Sequence, residues 1–185
     1  MMGNCWWLAS VIASHDRGRV VGRDRLQQAV LLLQSAGLPT DYRFSSFFRG
    51  PHSEGVMSDL RLLERLGLVS EQGAGPGLAY VASPRVASVM QEMGPFLEAL
   101  RALEQSDLAS LEAAARIGLY VAAGDTLEDA VSRAALARGG APSQARISAA
   151  LSLLRRLGVV EEGPPLVGSG APQYRSPAVS RMFSD

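Results

Sequence analysis

Lysine is missing from this 185-residue chain, and all eighteen basic side chains are arginine. Alanine and glycine are abundant, so the coding bias of a GC-rich genome explains the exchange more simply than a need for bidentate arginine contacts. Cysteine is nearly missing too. The single Cys5 excludes an intramolecular disulfide and points to a reducing compartment. With only two histidines, His15 and His52, the chain cannot supply the four paired Cys or His ligands of an ordinary structural zinc site. No apolar run reaches the roughly 18 residues a membrane span needs, and the start lacks the charged and apolar regions of a signal peptide. A cytoplasmic protein with no membrane partner, metal or cofactor is expected. Excess charge is also lacking: eighteen basic residues balance eighteen acidic ones, so no overall field draws the chain to nucleic acid or anionic lipid, and such contact must come from local clustering.

What the chain does contain is a repeat. Residues 51–71 read PHSEGVMSDLRLLERLGLVSE, and 91 residues later 142–162 read PSQARISAALSLLRRLGVVEE. In both, an apolar helix stops at glycine and hands over to a strand. After a Gly- and Pro-rich loop, each copy closes on tyrosine followed by Ser-Pro: Tyr80 with Ser83-Pro84, and Tyr174 with Ser176-Pro177. This order predicts a mainly α protein with small β wings, built as tandem winged helix-turn-helix units. The first unit covers 1–83, connecting helices cover 84–105, and the second unit covers 106–185.

Within the first unit the pattern predicts helices over Trp6–Ala13 and Arg25–Ala36, the latter with Leu26, Ala29, Val30 and Leu33 at helical spacing. An aromatic strand over Tyr42–Phe48 is broken at Gly50-Pro51. Ser53 is placed to cap a third helix whose apolar face is Val56, Leu60, Leu63 and Leu66, with Gly67 as its stop. Two strands, Leu68–Glu71 and Leu78–Ala82, flank the wing tip QGAGPG. Helix resumes over 84–105 in two pieces split at Gly94-Pro95, with an apolar stripe through Val86, Val89, Met90, Met93, Phe96, Leu97 and Leu100 that suits core packing. Gly124, Leu127, Ala130 and Val131 echo Gly22, Leu26, Ala29 and Val30, and the second wing has a longer tip, GPPLVGSGAPQ.

The residues that could touch double-stranded DNA are Arg17, Arg19, Arg23 and Arg25, clustered between the first two helices, and Ser58, Arg61 and Arg65 on the outward face of the third. Residues 1–69 carry eight arginines against six acids, a modest footprint, and Asp16, Asp24, Asp59 and Glu64 are interleaved with them. In the second unit the matching outward positions are Ala145, Ala149, Ser152 and Arg156, which fit a packed protein interface better than a groove reader. Catalysis has one thin candidate, Ser53, His52 and Asp59. It needs a pocket that joins His52 to a carboxylate, and Ser53 has a ready role as a cap.

Several of these residues also carry a family resemblance. Gly22-Arg23-Asp24-Arg25-Leu26-Gln27, the aromatic strand, Gly50-Pro51-His52-Ser53 and Leu63–Val69 (LERLGLV) together resemble the YwgA-like family, most strongly over 18–70, with LLRRLGVV fitting its C-terminal half. More distantly the chain resembles the Panacea domain of antitoxin and proteolytic-adaptor proteins. Gln28 stands where the family usually has lysine, and Arg49 and His52 stand where tyrosines are common. The resemblance implies a fold and an antitoxin or mobile-element setting. The residue types themselves are explained by turns, caps and core, with Arg23 or Gln27 bracing the backbone of the strand-turn. A non-enzymatic regulatory DNA-binding protein is therefore expected, the alternative being a protein-interaction adaptor without DNA contact. Either would work as a homodimer or with a protein partner.

Overall fold

The structure, a computed structural model, describes residues 3–48, 50–88, 92–136 and 143–161. It is mostly α-helical with two small antiparallel sheets. Helix α1 (Asn4–Ser14) leads through a 3-10 turn at Asp16–Gly18 to β1 (Arg19–Val21) and α2 (Arg23–Ser35). There follow β2 (Ser45–Phe47), β3 (Gly50–His52), α3 (Glu54–Arg65), β4 (Val69–Gln72) and β5 (Ala79–Ala82). Beyond them lie α4 (Leu97–Gln105), α5 (Leu108–Ala122), α6 (Leu127–Leu136) and α7 (Gln144–Arg156).

The leucine-rich spacing of α2 buries Leu26, Ala29, Val30 and Leu33 almost completely. Each buried leucine contributes about 2 kcal/mol relative to exposure. On α3 the apolar stripe Val56, Leu60 and Leu63 packs onto α1, and the opposite face stays in water. Leu66 departs from the expected stripe: it follows the last helical residue and is largely exposed, because the chain turns there toward Gly67. The three-stranded sheet runs β1-β5-β4, with Arg19 opposite Val81 and Glu71 opposite Tyr80. A single buried cluster runs through both halves of the chain, since α5 packs against α2 and β3 as well as against α6 and α7.

Three local expectations are corrected. The aromatic strand expected over Tyr42–Phe48 is shorter, Ser45–Phe47 only, and Gly50-Pro51 does not simply break it but forms the returning arm of a hairpin, in which Ser45 faces His52 and Phe47 faces Gly50. Proline is tolerated there because a two-stranded ribbon has free edges. The segment 84–105 is not helical throughout: short 3-10 turns at Pro84–Ser88 and Gly94–Phe96 precede α4, with Pro95 in the first turn where its missing N–H is harmless. After α7 no strand forms at Val159–Val160, although both side chains are buried. The second wing tip, Tyr174 and Ser176-Pro177 lie outside the described residues, as do Val89 and Met90 of the apolar stripe, whose Val86, Met93 and Leu100 are buried.

Candidate functional site

The β2–β3 hairpin is the most exposed apolar feature among the described residues, apart from Leu136 at the end of α6. Phe47 and Phe48 at its turn are 56% and 78% exposed, and water exposure of two phenyl rings is unfavourable unless they serve contact. Their position is fixed from below. The α5 side chain Arg116, only 2% exposed, donates to the carbonyls of Phe47 (2.8 Å) and Phe48 (2.6 Å) and to Ser46 Oγ (3.3 Å). Its Nε pairs with Glu112 at 3.2 Å, one helical turn earlier. Tyr120 on the same helix meets Ser46 Oγ at 3.1 Å, and Arg133 of α6, paired with Asp125, lies 4.2 Å over the Tyr120 ring. Gly50 lets the returning arm press inward at φ +114°. A Cβ there would stand 3.0 Å from Gln28 Nε2 and 3.3 Å from Glu112 Cγ.

On the far side of β3, Gln27 braces the turn into α3: its amide donates to the Ser53 carbonyl (3.2 Å) and accepts from the Ser53 N–H (2.9 Å). Ser53 holds the N-cap position through its backbone alone, and its hydroxyl is buried with no partner. Between the hairpin, the 41–43 segment and the start of α3 lies a cleft of about 590 Å³ lined by Asp41, Arg43, Phe47, His52, Ser53, Glu54, Ser58 and Asp59, among others. Tyr42 donates to Asp59 at 2.8 Å, and Asn4 donates to Asp41. Burial first, and then the bond to Asp59, pushes the Tyr42 phenol far above its ordinary pKa, so it stays a donor. Gln34 clamps the Tyr42 backbone at both its N–H and its carbonyl, each at 3.0 Å.

Ser53, His52 and Asp59 thus share one cleft without forming a relay. His52 Nε2 meets Glu54 at 3.0 Å, Asp59 is engaged by Tyr42, and nothing activates the Ser53 hydroxyl. No group of three or more His, Cys, Asp or Glu suited to a metal ion occurs among the described residues.

The seven residues proposed for DNA separate into two sets. Ser58, Arg61 and Arg65 are exposed on α3, and Arg17 and Arg19 are exposed around β1. Arg25 spends its guanidinium on the carbonyls of Leu103 (3.2 Å) and Ser106 (3.0 Å), where the end of α4 favours a cation. Arg23 Nε donates to the Tyr80 hydroxyl at 3.2 Å, which holds the Arg23 pKa above its usual value, with Glu71 and Asp24 adding to the effect. Burial and neighbouring Glu71 raise the Glu64 carboxyl, with Arg23 and Arg61 opposing. Sequence reasoning missed Arg116, Glu112 and Tyr120, whose only signal was charge and a phenol inside an otherwise apolar helix. No described helix is long and apolar enough to cross a membrane. Comparison with protein-family models, curated proteins and solved structures gives no match for this chain.

Proposed function

We propose that the chain is a non-enzymatic adaptor that docks a protein partner through the β2–β3 hairpin. One observation carries the reading: a buried Arg116–Glu112 pair is committed to holding two exposed phenylalanines in place. Burying charge is costly, and a turn whose backbone is already held loses little freedom on association, which suits anchor residues of a protein interface. The exposed α7 face of Ala145, Ala149 and Ser152, with Arg156 at its end, offers a further surface of mostly small side chains. The test is capture from a lysate of the source organism on the tagged full chain, compared with the Phe47→Ser/Phe48→Ser variant. A partner retained equally by both would overturn the reading.

A second reading, regulatory DNA binding, draws on the order α1, β1, α2, α3, β4, β5, into which the β2–β3 hairpin is inserted between α2 and α3, and on exposed Ser58, Arg61 and Arg65. Its winged-helix geometry would place α3 in a major groove, with Arg17 and Arg19 against the phosphates. Against it, the start of α3, the end that would read bases, is flanked by Asp41, Glu54 and Asp59. This reading requires genomic fragments to be retained with a steep salt dependence and lost in Arg61→Ala/Arg65→Ala. Absent or salt-insensitive retention would remove it.

A further inference from the structure

The chemistry of the partner can be read from the cleft beside the hairpin. Asp41, Glu54 and Asp59 line it against a single guanidinium, Arg43, with the Phe47 ring as one wall. An adjoining cleft of about 350 Å³ adds Asp24 and Phe48 to the shared Phe47, His52 and Glu54. The hairpin therefore stands between two clefts, each with an aromatic wall and carboxylates. Phe47 is steadied on both sides, by Arg116 at its carbonyl and by the His52 ring at 5.5 Å between centroids.

We infer that these clefts receive a positively charged segment of another protein, whose arginine or lysine side chains lie against Phe47 and Phe48 and reach the carboxylates. The inference rests on the protein-partner reading and adds the chemistry of the partner. A cation over an aromatic face gains from the ring quadrupole, and its N–H groups make charge-assisted bonds to the adjacent carboxylates. Acidic residues alone would not define a site. The second observation is Ser53, a residue of the larger cleft's lining whose buried hydroxyl has no partner within the chain. The positive end of α3, which disfavours a cation, is answered by Glu54 in its first turn. A phosphate-bearing ligand would meet the same three carboxylates as repulsion.

The experiment is a fluorescence-anisotropy titration of the full chain with a labelled, end-blocked peptide of alternating arginine and glycine, beside a twin with glutamate for arginine. The arginine peptide is expected to bind, more weakly at physiological than at low ionic strength, and the glutamate twin is expected not to bind. Phe47→Ser should weaken binding about tenfold, as for an interface anchor, and Glu54→Gln should weaken it several-fold. Both side chains are exposed, so unchanged melting curves would show that the variants still fold. Equal binding of the two peptides, or equal binding by the wild type and Phe47→Ser, would overturn the inference. So would a dimer in sedimentation that Phe47→Ser dissolves, since the occupant would then be a second copy. A captured partner that needs Phe47 and Phe48 but is not displaced by the arginine peptide would overturn this inference and leave the protein-partner reading standing.

Discussion

In both copies of the repeat the helix ends through the same bonds. Leu66 N–H bonds Leu62, Gly67 bonds Glu64 and Leu68 bonds Leu63; ninety-one residues on, Leu157 bonds Leu153, Gly158 bonds Arg155 and Val159 bonds Leu154, at 2.9–3.0 Å throughout. Gly67 and Gly158 sit at φ +65° and +67°, the left-handed position where glycine closes a helix. The beginnings differ. α7 starts one residue earlier in the repeat, at Gln144, capped by Ser143 Oγ accepting from Arg146 N–H at 3.3 Å. α3 starts at Glu54, and Ser53 gives it no side-chain cap, because Gln27 has taken the Ser53 backbone and the hairpin enters from the other side. The end of each helix is a local matter, written alike in the two stretches. The start of α3 has been shaped by what is attached to it, and that is where the clefts lie.

Substitutions can break this comparison. The largest effect is expected from Arg116→Met, which removes the buried cation beside Glu112 and releases the hairpin: a loss of about 3–5 kcal/mol, read by chemical denaturation and partly recovered in Glu112→Gln/Arg116→Met. Full stability in Arg116→Met would show that the hairpin does not depend on α5. Next come the matched core leucines. Leu63→Ala and Leu154→Ala, both fully buried, should each cost about 3 kcal/mol, and each should leave one cooperative transition. Two separate transitions would mean that the copies melt independently.

Gly67→Ala and Gly158→Ala should each lose about 1–2 kcal/mol to left-handed strain. Gly67 should lose slightly more, since its new Cβ would stand 3.3 Å from Arg85 Nη1 while Gly158 faces open space. Comparing the two melting temperatures sharpens how alike the stops are. Ser143→Ala should cost about 1 kcal/mol as a lost cap, whereas Ser53→Ala should leave stability unchanged, since its hydroxyl bonds nothing. Equal losses would restore Ser53 to a capping role.

The smallest effect concerns acid at His15, just after α1. Burial holds His15 below its ordinary pKa of 6.5, with Arg25 adding to the shift. The unfolded chain therefore takes up the proton first, and stability falls as pH drops below about 6.5. The slope of melting temperature between neutral and mildly acidic pH should flatten in His15→Gln, and an unchanged slope would place the acid sensitivity elsewhere.

The repeat, the glycine stops, the α3 stripe except Leu66, and the strands β4 and β5 were legible because each is written in a few neighbouring residues. The Gln27 brace was legible as a possibility, since an amide beside a turn has few other uses. The hairpin was half-read: seven residues of Tyr42–Phe48 looked like a strand, but its partner Gly50–His52 contains a proline and gave no strand signal. Arg116 could not be read at all, because its partners Ser46, Phe47 and Phe48 lie about 70 residues away and only the packing of α5 onto β3 brings them together. Nor did sequence reveal that Arg25 is used internally, since the carbonyls of Leu103 and Ser106 carry no side-chain signature.

Gly118 of α5 carries a consequence for how such a protein can change over generations. A Cβ placed on it would touch Leu154 of α7 at 3.5 Å and Leu32 of α2 at 3.7 Å, so one point on one helix serves both halves of the chain at once. A module that packs only against itself stays exchangeable, able to be lost, swapped or multiplied by recombination. Here the shared wall removes that freedom: a chain cut before α5 would lose the packing that α5 gives to α2 and β3.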